Sequence, residues 1–564
     1  MMLTEARKIA IKELLPTMAD FDRDAVDYKD GVVTVPEYLR PIFELLREGE
    51  WGNLIEPVEE GGQGAPQFVA SAVAEYFFGG NGALTFYLQT GVSASRMIQA
   101  YGTAEQKEKY VKKMVSVEWG GTMLLTESSA GSDVGALETS AVKNDDGSYS
   151  LTGNKIFITV GEHDLCENII HPVLARIEGA PAGTKGISIF IVPKFLVNDD
   201  GSLGERNDIR CTGVEHKHGL NGSATCSMSM GAKGQCTGYL LGEENQGMRI
   251  MFGMMNDARM HTGLQAAAYA SAAYLMALNY ARERVQGREL GQPHDAPSVT
   301  IINHPDVRRN LLWMKSYVSG MRSFFYYMDY QNERAHLAET QEEKELAGGI
   351  FDLLTPVIKS YLANRGYEVC VQAMQVFAGA GYTKDYLVEQ YVRDCKIVSI
   401  YEGTCGIQAM DLLGRKLAMK GGTVFMSLIG EMQKTIADAK KEAGLEELAS
   451  RVDDMVNKLV DVSTQLGTNA MSEKYKAAFA HSLPYLDVMG DTIMAWMLLW
   501  RSVTATHQLA DKPKGKEIGF YEGQIKMAEF FIHTIIPTSL GKMSSIAAMH
   551  PAAIDISDDG FGGL

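Results

Sequence analysis

The spacing of apolar positions changes twice along this chain, and each change marks a different kind of secondary structure. From about Thr4 to Ser116 apolar residues recur at mixed three- and four-residue intervals, as over 38–46 and 69–78, the period of helices with one buried face. The Gly- and Pro-containing stretch 61–66 breaks two such helices. From about 121 to 242 the period shortens to two. Residues 155–160, 186–192 and 225–230 alternate, separated by turns such as Asn144-Asp145-Asp146-Gly147, which predicts an antiparallel β-rich module. Beyond Gln246 long helical runs return over 254–284 and 308–330, and the Glu-, Gln- and Ala-rich segment 331–345 is expected to be an exposed helix end or connector. A last helical unit begins near 421. Its stripe of Leu445, Leu448, Val452, Met455, Leu459, Val462 and Leu466 alternates three and four, which predicts a face buried within the chain. The tail 557–564 is expected to be mobile.

The fold class is therefore α+β, mostly α, in four regions: 1–120, 121–245, 246–418 and 419–564. Composition changes this picture little. A length of 564 residues calls for several cores, and 46% hydrophobic with 22% charged residues is ordinary for a soluble globular protein. A net charge of −17 disfavours nucleic acid as a partner, since a phosphate backbone needs a basic footprint. The apolar runs fall short of the roughly 20 residues that cross a bilayer, the nearest being 493–500, so no transmembrane segment is expected. The N-terminal residues lack the apolar core of a secretory signal, and a cytoplasmic location is the expectation. Seven cysteines form no CxxC pair, which points to buried reduced thiols and to no metal site.

Candidate chemistry concentrates in three blocks. Ile400-Tyr401-Glu402-Gly403-Thr404, following Arg393-Asp394, sets one carboxylate beside a glycine, where a catalytic base would have room, and Glu402 is the candidate base. Upstream, Leu125-Thr126-Glu127-Ser128-Ser129-Ala130-Gly131-Ser132-Asp133 supplies hydroxyls and flexible backbone, and between the two lies Asn256-Asp257-Ala258-Arg259. These blocks, together with the segments at 56–64, 152–159, 238–248 and 375–382, resemble the acyl-CoA dehydrogenase family in residue type and order. The resemblance runs from the first helix to about residue 418. The extra C-terminal region, with 401–404 followed by 406–416, is similar to the longer members, the 3-methylmercaptopropionyl-CoA dehydrogenase-like group.

The resemblance implies an N-terminal helical domain, a middle antiparallel β-barrel-like domain, a C-terminal four-helix bundle and an additional C-terminal helical domain. It implies FAD as cofactor, an acyl-CoA thioester as substrate, electron-transfer flavoprotein as electron acceptor and a homodimer. Glu402 would take the α-proton while flavin N5 accepts the β-hydride. The thioester carbonyl would be polarised by hydrogen-bond donors, among them the Glu402 N–H. For FAD the resemblance carries over Met123, Leu125 and Thr126 at the pyrimidine end, Thr159 at N5, Phe157 against the ring where tryptophan is usual, and Ser132 near the phosphates and the CoA entrance. Arg284, with Arg282 as rival, would reach the pyrophosphate of the other subunit, and Gln375, Gly379 and Thr404 would hold the adenosine half. Asn256 and Arg259 would bind the CoA side of the substrate together with Ser132, and Tyr401 and Gly403 belong to the acyl-CoA site.

The chain departs from the family at Glu127-Ser128-Ser129, where Glu-Pro-Gly is usual, which puts the rigidity of that loop in question. It departs again at Asn256, where the family has Asp, and at Arg284-Val285-Gln286-Gly287, which is one residue short. Two alternatives stay open at this point: a flavin acyl-CoA oxidase that reduces O2, and a nucleic-acid-binding relative.

Overall fold

The structure is a computed structural model describing residues 1–563, and it divides into two compact units, 1–258 and 259–564. In the first unit, helices that include Arg40–Glu48 and Gln67–Tyr101 precede an eight-stranded sheet. The Gln67–Tyr101 helix is interrupted at Asn81 (φ −159°, ψ 92°). There the Asn81 side chain accepts from the Leu84 N–H at 3.1 Å and donates to Thr17 Oγ1 at 3.0 Å. A cap inside the helix thus restarts it in a new direction.

The sheet closes on itself. Tyr149–Thr159, Thr237–Leu240, Ile187–Pro193 and Asn168–Ile177 pair in that order, and Ser140–Lys143 joins the first of them to the last. Thr225–Met230 and then Ile209–Val214 extend one side, and Trp119–Gly121 extends the other. The barrel-like middle domain is therefore present, but it is not wholly antiparallel: Asn168–Ile177 runs parallel to both Ser140–Lys143 and Trp119–Gly121. Period-two patterning specifies which face of a strand is buried and carries no information on its direction. The strand interiors are apolar, with Ile170, Leu174, Ile187, Ile189 and Ile191 fully buried.

The second unit is helical. Its bundle holds the main part of Gly247–Glu283, then Pro305–Leu337, Gln341–Phe377 and Val388–Lys396. Segment 331–345 holds a largely exposed helix end and connector, as expected. Pro305–Leu337 runs on through it, and Thr340 starts the next helix in a capping box with Glu343, whose N–H donates to Thr340 Oγ1 at 3.2 Å. One helical stretch, 341–382, is long and apolar enough to cross a membrane, but 78% of its apolar window is buried inside the fold.

The additional domain consists of Thr423–Ala439, Glu446–Ala470, Ser482–Ala510, Lys516–Thr534 and Ile536–Ala548. Every residue of the Leu445 to Leu466 stripe is buried, facing Ser482–Ala510 and Ile536–Ala548, so the stripe is intramolecular core. A buried polar knot ties this domain to the bundle: the Asp491 carboxylate accepts from Tyr361 Oη at 2.6 Å and from Ser539 Oγ at 2.7 Å. Residues 557–563 are exposed and include a 3-10 turn at Asp558–Phe561 that Ser557 caps; Leu564, the end of the expected mobile tail, lies outside the described residues. All seven cysteines are free, and six are buried.

Candidate active site

In the second unit the chain between the 3-10 turn Ile397–Ser399 and the helix Cys405–Asp411 makes a sharp reversal. Glu402 has φ +55° and Gly403 φ +81°, two consecutive residues in the left-handed region. Glycine adopts this at little cost, whereas a glutamate there is held by its surroundings. The holding groups are identifiable. Thr404 caps the following helix by accepting from the Ile407 N–H at 3.3 Å. Gln408 Nε2 donates to the carbonyls of Glu402 at 3.1 Å and Gly403 at 3.4 Å, and Lys359 Nζ donates to the Gly403 carbonyl at 2.7 Å. A Cβ on Gly403 would stand 2.6 Å from Gln408 Nε2, so any side chain there displaces the Gln408 amide, and φ +81° favours glycine besides.

The turn presents the Glu402 side chain half-buried, and its carboxylate forms no hydrogen bond or ion pair among the described residues. Its N–H likewise meets no acceptor there. Burial pushes the carboxyl above the ordinary carboxylate range, opposed by the positive charges of Arg259 and Lys359. Arg259 is 5% exposed, pairs with Asp411 only at 3.9 Å, and leaves its Nε without a partner. Burial also lowers the Arg259 pKa, with Asp411 and Glu402 opposing. Gln408 Oε1 and Asp411 Oδ2 are further buried atoms without hydrogen-bond partners. Such a concentration of unmet polar atoms around one carboxylate is the pattern of a site that meets a polar ligand.

Tyr401 anchors the turn from the other side. Its hydroxyl donates to Gln265 Oε1, and Gln265 Nε2 donates to Tyr269 Oη at 3.0 Å. The second unit thus brings together Glu402, Gly403, Tyr401 and Arg259. It does not bring Gln375 and Gly379 to them: Gln375 lies exposed at the far end of Gln341–Phe377, about 16 residues and hence roughly 24 Å along the helix from Lys359, and Gly379 is exposed in the 3-10 turn Ala378–Tyr382 that follows. Arg284 is exposed at the edge of a short hairpin, and its side chain makes no bond among the described residues.

In the first unit, Phe157 is 60% exposed in the middle of a strand whose neighbours Lys155 and Ile158 are buried. It has φ +60°, and the register against Thr225–Met230 slips here, with Cys226 opposite Ile158 but Met228 opposite Lys155. A bulge with a left-handed residue turns a large aromatic face outward. Thr159, two residues on, pairs with Thr225 and is half-buried. Met123 and Leu125 are half-buried against the apolar core, and the Thr126 carbonyl accepts from the Ile156 N–H at 2.9 Å. An exposed aromatic face bordered by half-buried threonines fits a flat heteroaromatic ring. Ser132 is exposed in the loop beyond.

The loop at 127–130, which lacks the proline, is braced by hydrogen bonds. Glu127 and Ala130 exchange backbone hydrogen bonds at 3.1 Å, and the buried Glu127 carboxylate accepts from Lys155 Nζ at 2.8 Å, Glu138 N at 2.6 Å and Thr139 Oγ1 at 2.6 Å. Near Asn256, it is Asp257 that carries the ion pair, to Arg96 Nη1 at 3.6 Å, with Glu56 on the same guanidinium at 2.7 Å. Sequence reasoning missed Lys359, Gln408, Gln265 and Lys155. The one available signal for Lys359 was a lone lysine in the apolar run 353–363.

Comparison with known proteins accords with this geometry. Residues 1–118, 122–232 and 245–417 match the N-terminal, middle and C-terminal domains of acyl-CoA dehydrogenases, and 428–557 match the acetyl-CoA dehydrogenase C-terminal-like domain. The chain is 36% identical to the broad-specificity linear acyl-CoA dehydrogenase FadE5 of Mycobacterium tuberculosis, over 99% of this chain and 94% of that protein. It is 35% identical to 3-methylmercaptopropionyl-CoA dehydrogenase of Ruegeria pomeroyi, over 95% of this chain and 90% of that one. A crystal structure of a Bacillus anthracis acyl-CoA dehydrogenase complexed with FAD superposes with a TM-score of 0.76 at 19% identity, covering 99% of this chain and 88% of that one.

Proposed function

Because this chain belongs to the acyl-CoA dehydrogenase family, we propose that it is an FAD-dependent enzyme that converts an acyl-CoA thioester to the 2-enoyl-CoA, with Glu402 as the base. The observation that carries this reading is the Glu402 carboxylate: half-buried, made more basic by burial, and matched by no donor of its own unit. A structural carboxylate in such a place would be neutralised by a close partner. A base must instead stay unpaired until the proton it removes arrives.

When bound, FAD supplies the two-electron acceptor for the hydrogen leaving Cβ. The residues that would hold it are Met123, Leu125, Thr126, Phe157 and Thr159 around the ring, Ser132 at the phosphates, and Gln375, Gly379 and Thr404 toward the adenosine. Phe157 supports the fit by its exposed face, while the Thr404 hydroxyl is already engaged as a helix cap. The chain's own contribution is proton chemistry. The substrate's apolar chain displaces water from around Glu402, which raises its basicity further, while the positive charges of Arg259 and Lys359 favour its ionised form. The unpartnered Glu402 N–H donates to the thioester oxygen, where negative charge develops as the α-proton leaves. Arg259, with an Nε still to be satisfied, orients the polar part of the substrate, a role proposed also for Asn256 and Ser132, and Tyr401 and Gly403 form the wall nearest the reacting carbons.

The named substrates of the two relatives are unbranched thioesters, so an unbranched acyl chain is the proposed substrate class. Electron-transfer flavoprotein is the proposed acceptor, and a homodimer the proposed assembly, in which the exposed Arg284 reaches the cofactor of the second copy. The test is anaerobic mixing of the FAD-loaded protein with a panel of straight, branched and cyclic acyl-CoA thioesters. Flavin bleaching by straight-chain members, re-oxidised by electron-transfer flavoprotein faster than by air, is expected. A colourless protein that retains no added FAD would overturn the reading, and peroxide formed in step with substrate loss would replace the proposed acceptor with O2.

A further inference from the structure

Three lysines are buried in the described structure: Lys155, Lys359 and Lys416. Lys155 meets Glu127 at 2.8 Å and Lys416 meets Asp352 at 3.4 Å. Lys359, fully buried on the Gln341–Phe377 helix, meets no carboxylate; its single hydrogen bond goes to the Gly403 carbonyl at 2.7 Å. An ammonium has three donors, and burying it against one carbonyl is costly unless something else requires it there. What it touches is the Gly403–Thr404 peptide, in a turn with two consecutive left-handed residues, Glu402 and Gly403. Gln408, on the following helix, donates to this carbonyl and to that of Glu402. With both carbonyls held by these donors, the two peptides that follow Glu402, Glu402–Gly403 and Gly403–Thr404, are fixed in orientation, and the Glu402 N–H in the peptide before them meets no acceptor among the described residues.

Resting on the reading of Glu402 as the base, we propose that Lys359 is a positioning residue, whose ammonium and the Gln408 amide clamp the Glu402–Gly403 turn and thereby aim the base and its N–H at the substrate. A lysine serves where a neutral donor would not, because its charge also favours the ionised form of Glu402. The groups facing Lys359 are Glu402, the Cys405 thiol and Arg259. Burial brings its pKa down to about 8, so the clamp is charged through neutral pH and weakens in alkali.

The test compares holoenzyme carrying Lys359→Met with wild type. Expected are unchanged FAD content, KM within about threefold, kcat lowered about 10- to 100-fold, and an acid limb of the kcat profile displaced to higher pH because Glu402 has lost a favourable cation. A crystal structure of the variant is expected to show the Gly403 carbonyl rotated away and Glu402 out of the left-handed region. If methionine prevents folding, Lys359→Gln, which keeps a donor without the charge, gives the same readouts, with a smaller loss of kcat and the same displaced limb. Unchanged kcat, unchanged acid limb and an unaltered turn would overturn the clamp. The two readings fail separately. A wild type that oxidises no thioester while the variant's turn still rearranges refutes the base and keeps the clamp; an active wild type matched by the variant in all three readouts refutes the clamp alone.

Discussion

Replacing Gly403 by alanine tests how the base is presented. The new Cβ would stand 2.6 Å from Gln408 Nε2, with Ile407 Cγ2 at 3.6 Å and Arg259 Nη2 at 3.7 Å. The Gln408 amide must withdraw, and its bonds to the Glu402 and Gly403 carbonyls are lost. Each such bond is worth about 1 kcal/mol net, and alanine at φ +81° costs about 1 kcal/mol more. Relaxation will recover part of this sum, leaving about 2–3 kcal/mol, or roughly 30- to 150-fold if it falls on the orientation of Glu402. The assay is the anaerobic rate of flavin reduction at saturating thioester, with FAD content and Tm measured alongside. The control is Gly406→Ala, where the nearest atom to a new Cβ is Thr404 Oγ1 at 3.9 Å and a helical glycine is simply replaced by a better helix former. Gly403→Ala is expected to lose rate with FAD retained, and Gly406→Ala to keep it. A rate within twofold of wild type in Gly403→Ala would refute the clamped turn as the device that aims the base.

Two further predictions concern groups outside the turn. Asp487 keeps a buried Oδ1 without a hydrogen bond, and burial pushes its carboxyl up to about 6, against the attraction of Arg365. A folded pKa above the unfolded value of about 3.9 means that stability is lost as pH rises from about 4 to about 6, by about 3 kcal/mol at most. Asp487→Asn should therefore leave Tm unchanged near pH 4 and raise it near pH 8; a shift of the same size at both would contradict the assignment. Lys155→Met strands the Glu127 carboxylate in a buried site and should cost about 3–5 kcal/mol, with loosened FAD retention, whereas Glu127→Gln with Lys155→Met should recover part of the loss. Equal melting temperatures for the single and double variants would show that the pair does not brace the 127–130 loop.

Much of this arrangement was legible in the sequence, and the gaps have physical causes. The block at 400–404 announced a carboxylate beside a glycine, and the geometry adds that the glutamate itself is left-handed, which no propensity scale anticipates for that residue type. The helix stripe from Leu445 to Leu466 reads directly because burial on one face imposes its period. Strand direction around Asn168–Ile177 did not read, because alternation is the same in parallel and antiparallel pairs that bury one face. The groups that hold the site in place, Lys359 to the Gly403 carbonyl and Lys155 to Glu127, are 44 and 28 residues apart in sequence, and a single chain gives no sign of such pairing. The rigidity doubted for Ser128-Ser129 is likewise supplied from a distant strand.

The central claim is that Glu402 removes the α-proton. Its most direct test is the anaerobic reductive half-reaction of the Glu402→Gln holoenzyme, which keeps the shape of the side chain and removes only its basicity. The account predicts FAD content and thioester affinity near wild type, with flavin reduction slowed by about 10³-fold or more. It also predicts a wild-type rate that falls as pH drops through a pKa above the ordinary carboxylate range. Reduction of the variant within tenfold of wild type would contradict the account and place the base on another residue.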